Sequence, residues 1–435
     1  MEIDFSSDPV LRLRRQNATY EQFQEAVAAA VEQHPGIAEA AATEDEALGV
    51  VREARSAMRP TVDLNVTGYR VLAREFSNDP TNIIERSRPA QRTDAILSAQ
   101  QVVFDFGATA RRAAAAGARL RAAGADLEAS ADSVALNTVG SWYDVFGYRA
   151  IVALGEAYLA SQRDLRTAIE TRISQGVSAE GDIASIDSEI AQSLTRLARF
   201  RRLLASAEAR YTELTGGIPA PPGIVRAPAP ALPVQDREDA ALAAHEAPAV
   251  RSARSIADAT HDEARATRAD QFPSVSAGVE AGRYGVFENE KDYDIRSRVG
   301  IRWRLFGNTE ARLDQAQARA RAADARATRI SEEAERDAAI AWSDLQALEE
   351  QMEAAETYYM ASRRSRDVIV ERFRQARGTL FDVVEAEDNY FEASASYIQT
   401  LTELDAARYI LLSRTGRLLE ALEIDTDSLR GEGER

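Results

Sequence analysis

The sequence contains no cysteine, and this absence removes several kinds of structure from consideration. Disulfide bridges, zinc sites built from thiolates and a lipid-modified N-terminal cysteine are all excluded. No run of 18 or more apolar residues occurs, so the sequence offers no transmembrane helix. Residues 1–17 also lack the apolar segment of a secretory signal. Taken literally, this would indicate a cytoplasmic protein, but we expect that a signal segment has been removed.

Features of an enzyme are also scarce. The three histidines, His34, His245 and His261, show no spacing that suits a metal ion or a nucleophile. Asp105-Phe106-Gly107 matches the magnesium-binding tripeptide of kinases, but no glycine-rich loop or catalytic loop accompanies it. The net charge of −17 and the pI of about 4.9 argue against nucleic acid as a partner, because binding phosphates requires a surplus of Lys and Arg. We predict a protein that is not an enzyme and needs no cofactor.

The same structural unit occurs twice. Pro35 and Pro248 are 213 residues apart, as are Pro60 and Pro273. After the first hairpin the offset becomes 200, because residues 74–92 form a polar, proline-containing insertion that we predict to be a loop. The offset of 200 is kept by the pairs Phe106/Phe306, Trp142/Trp342, Tyr158/Tyr358, Arg172/Arg372 and Asp182/Asp382. The predicted domains are an N-terminal extension (1–18), a first repeat (19–215), a proline-rich linker (216–235), a second repeat (236–420) and a C-terminal tail (421–435).

Each repeat contains two stretches in which apolar and polar residues alternate. The clearest is 293–304, with Tyr293, Ile295, Val299, Ile301 and Trp303 on one side and mainly arginines on the other. Weaker alternation predicts strands near 274–281, 62–67 and 100–104. Strands with one apolar and one polar face suit a transmembrane barrel with a wet lumen. They equally suit a sheet that is half-buried on a soluble core.

Long helices are predicted for most of the remaining sequence. Residues 108–174 and 308–375 contain no proline, and a helix of this length spans roughly 100 Å. Shorter helices are predicted at 20–58, 181–215, 236–271 and 382–420. A heptad spacing, which favours coiling against neighbouring helices, is present at Ala341, Leu345, Leu348, Met352, Ala355, Tyr359 and Ser362, and again at Val145, Tyr148, Val152, Gly155 and Leu159.

Four strands are too few to close a barrel in a membrane. Closed barrels begin at eight strands, and an open edge leaves unpaired N–H and C=O groups in lipid. If the strands enter a membrane, at least two chains must therefore share one barrel. Two chains would supply eight strands and three would supply twelve, and the residues alone do not decide between them.

In order and spacing, the sequence resembles the TolC family of outer-membrane factors over residues 19–420. The resemblance is carried by TYEQFQEAVAAAVEQHPGI (19–37), QQVVFDFG (100–107), RISQGVSAEGDIASIDSEI (172–190), YTELTGG (211–217) and RFRQARGTLFDVVEAEDNY (372–390). It implies a mainly α fold with a β-barrel portion, in which a trimer shares a twelve-stranded barrel and its long antiparallel helices form an α-barrel. It also implies location in the outer membrane, extension into the periplasm, and docking of a periplasmic adaptor and an inner-membrane pump or ABC transporter.

The helical turns 172–190 and 372–390 carry the residues with a predicted functional role. Asp382 and Glu385 lie three residues apart and share one helix face, so they could simply favour the helix N-terminus. The resemblance implies that these two residues form an acidic periplasmic constriction. In the first repeat Asp182 aligns with Asp382, whereas Ser185 replaces Glu385, so one complete pair per chain is expected.

Other residues of the same turns are candidates for docking and closure. Small or apolar residues expected at an exposed tip are candidate adaptor contacts, unless they only pack the turns themselves: Gly176, Val177, Gly378, Leu380 and Phe381. The resemblance implies Tyr and Arg latches between neighbouring hairpins, but Phe373 and Gly378 occupy those positions here. Arg374 or Arg377 could instead pair with Asp182, or could simply be solvated surface arginines.

Aromatic residues flank both junctions between strand and long helix, at Phe104, Phe106, Trp303 and Phe306. They fit a belt at a membrane interface, although such residues are more often ordinary core.

The sequence therefore predicts a passive export channel, for type I protein secretion or multidrug efflux, with a slight preference for secretion. The competing hypothesis is a soluble periplasmic coiled-coil scaffold or adaptor without a pore.

Overall fold

The computed structural model describes residues 5, 8–77, 79–176, 179–288, 292–375 and 377–430, apart from the side chains of Asn82 and Glu85. Within these ranges, helices and four strands follow one another. The helices are α1 (Pro9–Leu13), α2 (Tyr20–Gln33), α3 (Pro35–Ser56), α4 (Ile83–Ser87), α5 (Ala108–Ser174), α6 (Gly181–Leu214), α7 (Arg237–Ala243), α8 (Pro248–Ala269), α9 (Thr309–Arg374), α10 (Leu380–Arg414) and α11 (Leu418–Ala421). The strands are β1 (Thr61–Arg70), β2 (Gln91–Phe104), β3 (Ser274–Tyr284) and β4 (Tyr293–Arg302).

The two longest helices, α5 and α9, agree with the prediction to within a residue or two. The shorter predicted helices are more divided than the sequence suggested. His34 adopts an extended conformation (ψ 126°) just before Pro35, because the proline ring disfavours helical backbone in the residue that precedes it. The predicted helix 20–58 is therefore split into α2 and α3. Likewise, a short 3₁₀ turn at Ala244–Glu246, followed by Pro248, separates α7 from α8.

The insertion at 74–92 is also more ordered than the predicted loop. It contains a 3₁₀ turn (Pro80–Asn82) followed by α4, and β2 already begins at Gln91. The turn starts at Asp79, whose side chain accepts hydrogen bonds from the backbone N–H and the hydroxyl of Thr81, at 2.9 and 2.8 Å. Capping of this kind is common for an aspartate that precedes proline at a helix start.

The four strands form one antiparallel sheet in the order β1-β2-β3-β4. Leu64 pairs with Leu97, Leu97 with Ala281 and Ala281 with Ile295, so these residues share one face. On the neighbouring row of the opposite face lie Asp63, Ser98, Glu280 and Arg296. The alternation predicted from the sequence is thus aligned across all four strands, and the sheet has one apolar and one polar face.

The apolar face is exposed, unlike the face of a sheet packed on a soluble core. The exposed side chains are Val62 (63%), Leu64 (68%), Val66 (61%), Leu97 (47%), Val279 (50%), Ile295 (67%), Val299 (75%) and Ile301 (74%). Within the described chain, strands β1 and β4 are each paired on one side only. This sheet therefore leaves both an apolar surface and two backbone edges for other partners.

The chain forms two compact units, and each takes segments from both predicted repeats. The helical unit comprises the described residues of Met1–Ala42, Ala125–Arg251 and Arg329–Arg435. The sheet unit comprises those of Thr43–Gly124 and Ser252–Thr328. The repeat and linker boundaries inferred from the sequence stay a prediction.

No helix in the described ranges combines the length and the apolar content needed to cross a bilayer.

The core of the helical unit follows the predicted heptad positions. In α9 the side chains of Leu345, Met352 and Tyr359 are 2% exposed or less, and they pack with Tyr397 and Leu401 of α10. A second cluster surrounds Phe23 of α2, whose ring makes an edge contact with Trp142 at 5.3 Å. Antiparallel helices with seven-residue apolar periodicity bury such positions against each other, as the spacing indicates.

The N-terminal segment is fixed to the helical unit by a buried carboxylate. Asp8 is fully buried, and its side chain accepts hydrogen bonds from the backbone N–H groups of Val10 and Leu11 at 2.8 and 2.9 Å. The Tyr359 hydroxyl also donates to the Asp8 carboxylate, at 2.7 Å, and Arg363 forms an ion pair with it. A charge removed from water is tolerated only when it is paired and hydrogen-bonded in this way. Residues 8–13 are therefore an integral part of the helical unit.

Replacing Asp8 by Ala should destabilise the helical unit by about 3–5 kcal/mol, because it leaves the largely buried Arg363 with only its longer contact to Asp367, at 3.9 Å. The expected result is a lower apparent Tm and faster proteolysis near residues 8–18. The double variant Asp8→Ala/Arg363→Met should recover much of the loss, since it removes both charges. Arg14→Ala is the control: it breaks an exposed ion pair with Glu356 and should cost less than about 1 kcal/mol. An Asp8→Ala protein as stable as the Arg14→Ala protein would contradict this role.

Candidate functional site

The two turns singled out in the sequence lie at one end of the helical unit. An apolar cluster joins the end of α5, the start of α6, the end of α9 and the start of α10. Its buried members are Ile169, Ile186, Phe373 and Val383, one from each helix. We call it the tip cluster. Because it packs all four helix ends together, the turn after α5 and the turn after α9 share one site.

Asp382 is held in a capping box at the start of α10. The Thr379 backbone N–H and hydroxyl both donate to Asp382 Oδ2, at 3.0 and 2.7 Å, and the Asp382 N–H donates to the Thr379 hydroxyl oxygen at 3.2 Å. These hydrogen bonds, the backbone one first, lower the pKa of Asp382 below its ordinary value. The capping role and the constriction role are therefore compatible: the cap keeps this carboxylate ionised and exposed at the tip.

Glu385 lies one turn further along α10 and is also exposed. In the part of the chain that the structure describes, its carboxylate makes no hydrogen bond or ion pair. Unlike Asp382, it is therefore not needed to start the helix. The pair combines one carboxylate fixed by local hydrogen bonds with one that extends freely into solvent.

The corresponding position in the first repeat is built differently. Asp182 lies in the first turn of α6, where its Oδ2 accepts from the Ala179 N–H at 3.3 Å, so it faces the start of its helix as Asp382 does. Ser185, at the position equivalent to Glu385, donates its hydroxyl hydrogen to the Gly181 carbonyl at 3.2 Å. At the two positions aligned with Asp382 and Glu385, the first-repeat turn thus provides one carboxylate, and the constriction formed by Asp182, Asp382 and Glu385 stays a prediction.

The predicted docking residues differ in accessibility. Phe381 is 74% exposed, whereas Leu380 is partly buried against the tip cluster. Gly176 and Gly378 are exposed, and Gly176 has φ +74°, a conformation that glycine adopts without strain. Val177 lies outside the described residues. Of the apolar side chains that the structure describes here, Phe381 is the one that reaches solvent most fully.

The proposed latch residues Arg374 and Arg377 are exposed, and neither forms an ion pair with another described residue of the same chain. Their pairing with Asp182 stays a prediction about neighbouring hairpins. Phe373, at the position where the resemblance implies a latch tyrosine, is instead buried. The Arg172 guanidinium lies 4.3 Å above its ring, and Nη1 donates to the Phe373 carbonyl at 3.1 Å. Arg172 therefore links α5 to the end of α9.

A polar link between the two hairpins was missed in the sequence. Asp388 of α10 accepts a hydrogen bond from the Tyr158 hydroxyl of α5 at 2.7 Å and pairs with Arg196 of α6 at 3.3 Å. In the sequence Tyr158 is one of the residues repeated at the offset of 200, where it aligns with Tyr358. In the alignment at offset 200, Asp388 falls opposite Ser188, and this asymmetry was the one signal that could have pointed to it.

Glu387, next to Asp388, is a buried carboxylate. It accepts a hydrogen bond from the Ser161 hydroxyl at 3.3 Å, and burial raises its pKa above the ordinary value. Arg366 lies on the neighbouring helix α9, with its guanidinium 4.0 Å from the Tyr390 ring. The charges above the tip cluster thus connect α5, α6, α9 and α10.

The aromatic residues of the strand-to-helix junctions lie in the sheet unit and are exposed: Phe104 (53%), Phe106 (47%), Trp303 (58%) and Phe306 (92%). Phe106 stacks with Phe272 at 4.8 Å, and the Trp303 indole N–H donates to the Gln271 carbonyl at 3.1 Å. They are not core residues of the chain.

In the described ranges, no group of three or more His, Cys, Asp or Glu is arranged to hold a metal ion.

Comparison with known sequences gives a consistent result. A family model described as outer membrane efflux protein matches residues 26–217 and 240–417. The chain is also 23% identical over 348 residues to "Outer membrane efflux protein BepC" of Brucella suis, and the match covers 78% of this chain and 76% of the relative.

Solved structures show the same fold. VceC, an outer membrane protein of Vibrio cholerae, superposes with a TM-score of 0.80 at 18% identity, over 91% of this chain and 96% of that one. The Campylobacter jejuni outer membrane channel CmeC gives a TM-score of 0.80 at 14% identity, over 100% and 98% of the two chains. The predicted TolC-like fold class is confirmed.

These matches cover both halves of the sequence and the sheet as well as the long helices. They also confirm the predicted location in the outer membrane with extension into the periplasm, and they identify a family of transport proteins and not of enzymes. The chain belongs to the outer membrane efflux protein family, whose members act as efflux channels.

Proposed function

We propose that three copies of this chain form one channel through the outer membrane, which serves as the exit duct of a tripartite export system. In this proposal each copy contributes four strands to a twelve-stranded barrel and its long helices to a periplasmic tunnel. The channel itself catalyses no reaction, and an inner-membrane pump supplies the energy. The observation that carries the proposal is the four-stranded sheet, which has an exposed apolar face and, among the described residues, two unpaired edges.

The apolar face supports insertion in lipid. Leu64, Ile295 and Val299 are each more than 60% exposed, and they lie on the same face of the sheet. In water, exposing so many contiguous apolar side chains is unfavourable, at roughly 25 cal/mol for each Å² that could be buried. In a bilayer the same face contacts hydrocarbon, and the polar face lines an aqueous lumen.

The unpaired edges support sharing of the barrel. In hydrocarbon each unpaired N–H or C=O group costs several kcal/mol, so β1 and β4 must find partners. Antiparallel pairing of β4 with β1 of the next copy extends the sheet without changing its faces. Three copies give twelve strands, as the TolC resemblance implies. A soluble scaffold would not need unpaired strand edges of this kind. A soluble protein also disagrees with the outer-membrane location of the family.

At the tip, three-fold repetition would bring the acidic pairs of the three chains together. Asp382 stays ionised because of its capping hydrogen bonds, and Glu385 is free to point toward the axis. A ring of carboxylates at a narrow opening attracts cations and binds multivalent ones most strongly. We propose that this ring is the periplasmic constriction, with Asp182 contributing from the neighbouring turn.

The exposed tip is also the proposed docking surface for a periplasmic adaptor and its inner-membrane pump or ABC transporter. Phe381 would contact the adaptor, together with the other predicted docking residues Gly176, Val177, Gly378 and Leu380. The sequence inclined slightly to protein secretion, whereas the family and the Brucella suis relative are described as efflux proteins, which supports small molecules.

Placing a charge on the apolar face should prevent insertion. We expect Leu64→Arg to reduce the amount of protein assembled in the outer membrane, because an arginine at mid-membrane depth on the lipid side costs about 2–4 kcal/mol. Asn65→Arg is the matched control, because the two residues are neighbours in β1 but face opposite sides. The measurement is the trimer recovered from detergent-extracted outer membranes. Equal recovery of the two variants would show that the apolar face does not contact lipid.

Neutralising Glu385 should weaken block by multivalent cations. We expect Glu385→Gln to raise the half-blocking concentration of a trivalent cation about tenfold or more in single-channel recordings, since roughly 1.4 kcal/mol of binding corresponds to a factor of ten. The cap at Thr379 is untouched by this substitution, so the tip should keep its fold. Glu180→Gln, an exposed carboxylate of the other turn, should leave the block unchanged. A Glu385→Gln channel that is blocked like the wild type would remove this residue from the constriction.

A further inference from the structure

The polar face of the sheet differs in charge between its two ends. Towards the turns of the two hairpins, its arginines have carboxylate partners on the same face. Arg92 pairs with Asp94 at 2.6 Å, and Arg296 pairs with Asp294. Positive and negative charges therefore balance locally at that end.

Towards the helices, the same face carries arginines without carboxylates beside them. Arg298 lies opposite Gly278, and Arg302 lies opposite Ser274. Arg298 approaches Glu280 of the next row only to 3.8 Å, and Arg302 forms no hydrogen bond or ion pair with a described residue through its guanidinium. The other residues of these two rows, and of the row between them, are uncharged: Thr61, Gln100, Val102, Ser274, Ser276, Gly278 and Gly300. We call Arg298 and Arg302 the basic zone.

The positive charge continues beyond the end of β4. Arg304 lines a cavity of about 430 Å³ together with Arg302. The two carboxylates in that lining already have other partners. Asp105 accepts hydrogen bonds from two backbone N–H groups of the turn that follows it, at 3.0 and 2.7 Å, and Asp270 pairs with Arg112. In a chain with a net charge of −17, a surplus of arginine in one region is unexpected.

Small side chains leave open space next to the basic zone. A groove of about 120 Å³ on the polar face is lined by Arg296 and Arg298, with Glu280 on the same side. The rest of its lining includes Ser98, Ser276, Gly278 and Gly300. The Arg298 side chain is exposed, and two serines share its surroundings. The groove therefore has room for a carboxylate, sulfonate or phosphate group.

In the proposed channel the polar face lines the aqueous lumen, where two arginines from each of three copies would surround the pore. A water-filled pore in a wall of low dielectric constant focuses the field of such charges and raises the local concentration of the opposite ion. Arginine donates two parallel hydrogen bonds to a carboxylate or phosphate. Because exposed pairs of this kind are weak and screened by salt, an anion would be attracted and then released, as transport requires.

A neighbouring copy would not neutralise the basic zone. In the proposed barrel β4 pairs with β1 of the next copy, and β1 has one carboxylate on its polar face, Asp63. Arg298 and Arg302 stand four residues apart in a strand, which separates them by about 13 Å. One Asp63 cannot pair with both, so at least one arginine in each copy stays available to other anions.

We propose that the basic zone is an anion-attracting section of the lumen, which favours the passage of cargo that carries carboxylate, sulfonate or phosphate groups. Arg298 and Arg302 are its specificity-determining residues, and they bind these groups only in passing. This inference rests on the proposed function, because it needs the polar face to line the pore.

The test uses the assembled channel in detergent and exploits the absence of cysteine from the chain. Ser276→Cys places one thiol between the rows of Arg298 and Arg302. Its rate of modification is measured by mass spectrometry with an anionic (sulfonatoethyl) and a cationic (trimethylammonioethyl) methanethiosulfonate. Each rate is divided by the rate of the same reagent with a free thiol in solution. The ratio of the two then reports the local potential, since any change in the pKa of the thiol affects both reagents equally.

The anionic reagent should be favoured about tenfold at Ser276→Cys, and this preference should shrink as salt is added. Adding Arg298→Gln/Arg302→Gln should bring the ratio close to one. Arg70→Gln/Arg283→Gln is the matched control, because it removes the same charge from the apolar face of the same sheet. It should leave the preference intact. Thr67→Cys, opposite Asp94 at the balanced end, should show no preference for the anion.

Two kinds of result would overturn the basic zone. One is a ratio near one at Ser276→Cys, or a ratio that survives Arg298→Gln/Arg302→Gln. The other is dissociation of the Arg298→Gln/Arg302→Gln channel into single chains, which would assign the arginines to contacts between copies.

Val299→Cys separates these failures from a failure of the proposed function. Val299 lies next to Arg298 but on the apolar face, where detergent or lipid should protect a thiol from both reagents. If Val299→Cys reacts as fast as Ser276→Cys, the apolar face is in water and the proposed membrane channel itself fails. If Val299→Cys is protected and Ser276→Cys shows no preference, the channel stands and only the anion-attracting section is wrong.

Discussion

The constraint on which this structure depends is the need of every backbone N–H and C=O group in hydrocarbon to have a partner. In the described chain the four-stranded sheet pairs these groups inside but not at its edges, so in the proposed channel β1 and β4 pair with strands of neighbouring copies. The exposed apolar face adds a second requirement, because it favours contact with lipid. In the proposed channel these two requirements account for the amphipathic strands, for their two hairpins and for the need for more than one chain.

The helical unit is stabilised differently, because its helices lie in water and must pack on one another. At the tip, apolar packing of four helix ends is combined with polar links, of which Arg172 on Phe373 and Asp388 with Tyr158 and Arg196 are the clearest. Apolar packing is tolerant of small shifts, whereas hydrogen bonds have a required geometry. The polar links therefore determine how the two hairpins are aligned, and the apolar cluster provides most of the stability.

The sequence predicted the long helices and the alternation of the strands because both depend on local periodicity, which is visible in residues such as Leu345, Met352 and Tyr359 or Ile295 and Val299. The prediction was wrong at His34-Pro35, where one residue interrupts a longer helical pattern. It was also wrong in the insertion 74–92, where Asp79 starts a helical turn. The tip was predicted in position but not in detail. Thr379 could have been recognised as the cap of α10, since Asp382 follows three residues later. The link through Asp388 joins residues 230 apart, and no local pattern reveals such a contact.

The burial of Asp8 has a consequence for how the chain reaches its folded state. Its hydrogen-bond partner Tyr359 is 351 residues away in the sequence, so we expect residues 8–13 to be among the last to pack. Synthesis and export proceed from the N-terminal end. During both, the Asp8 carboxylate would stay hydrated until α9 is available to pack against it. Contacts so distant in sequence close slowly, because the entropy of a very large loop must be lost first. We therefore expect the packing of residues 8–13 to be a late step in the folding of each chain.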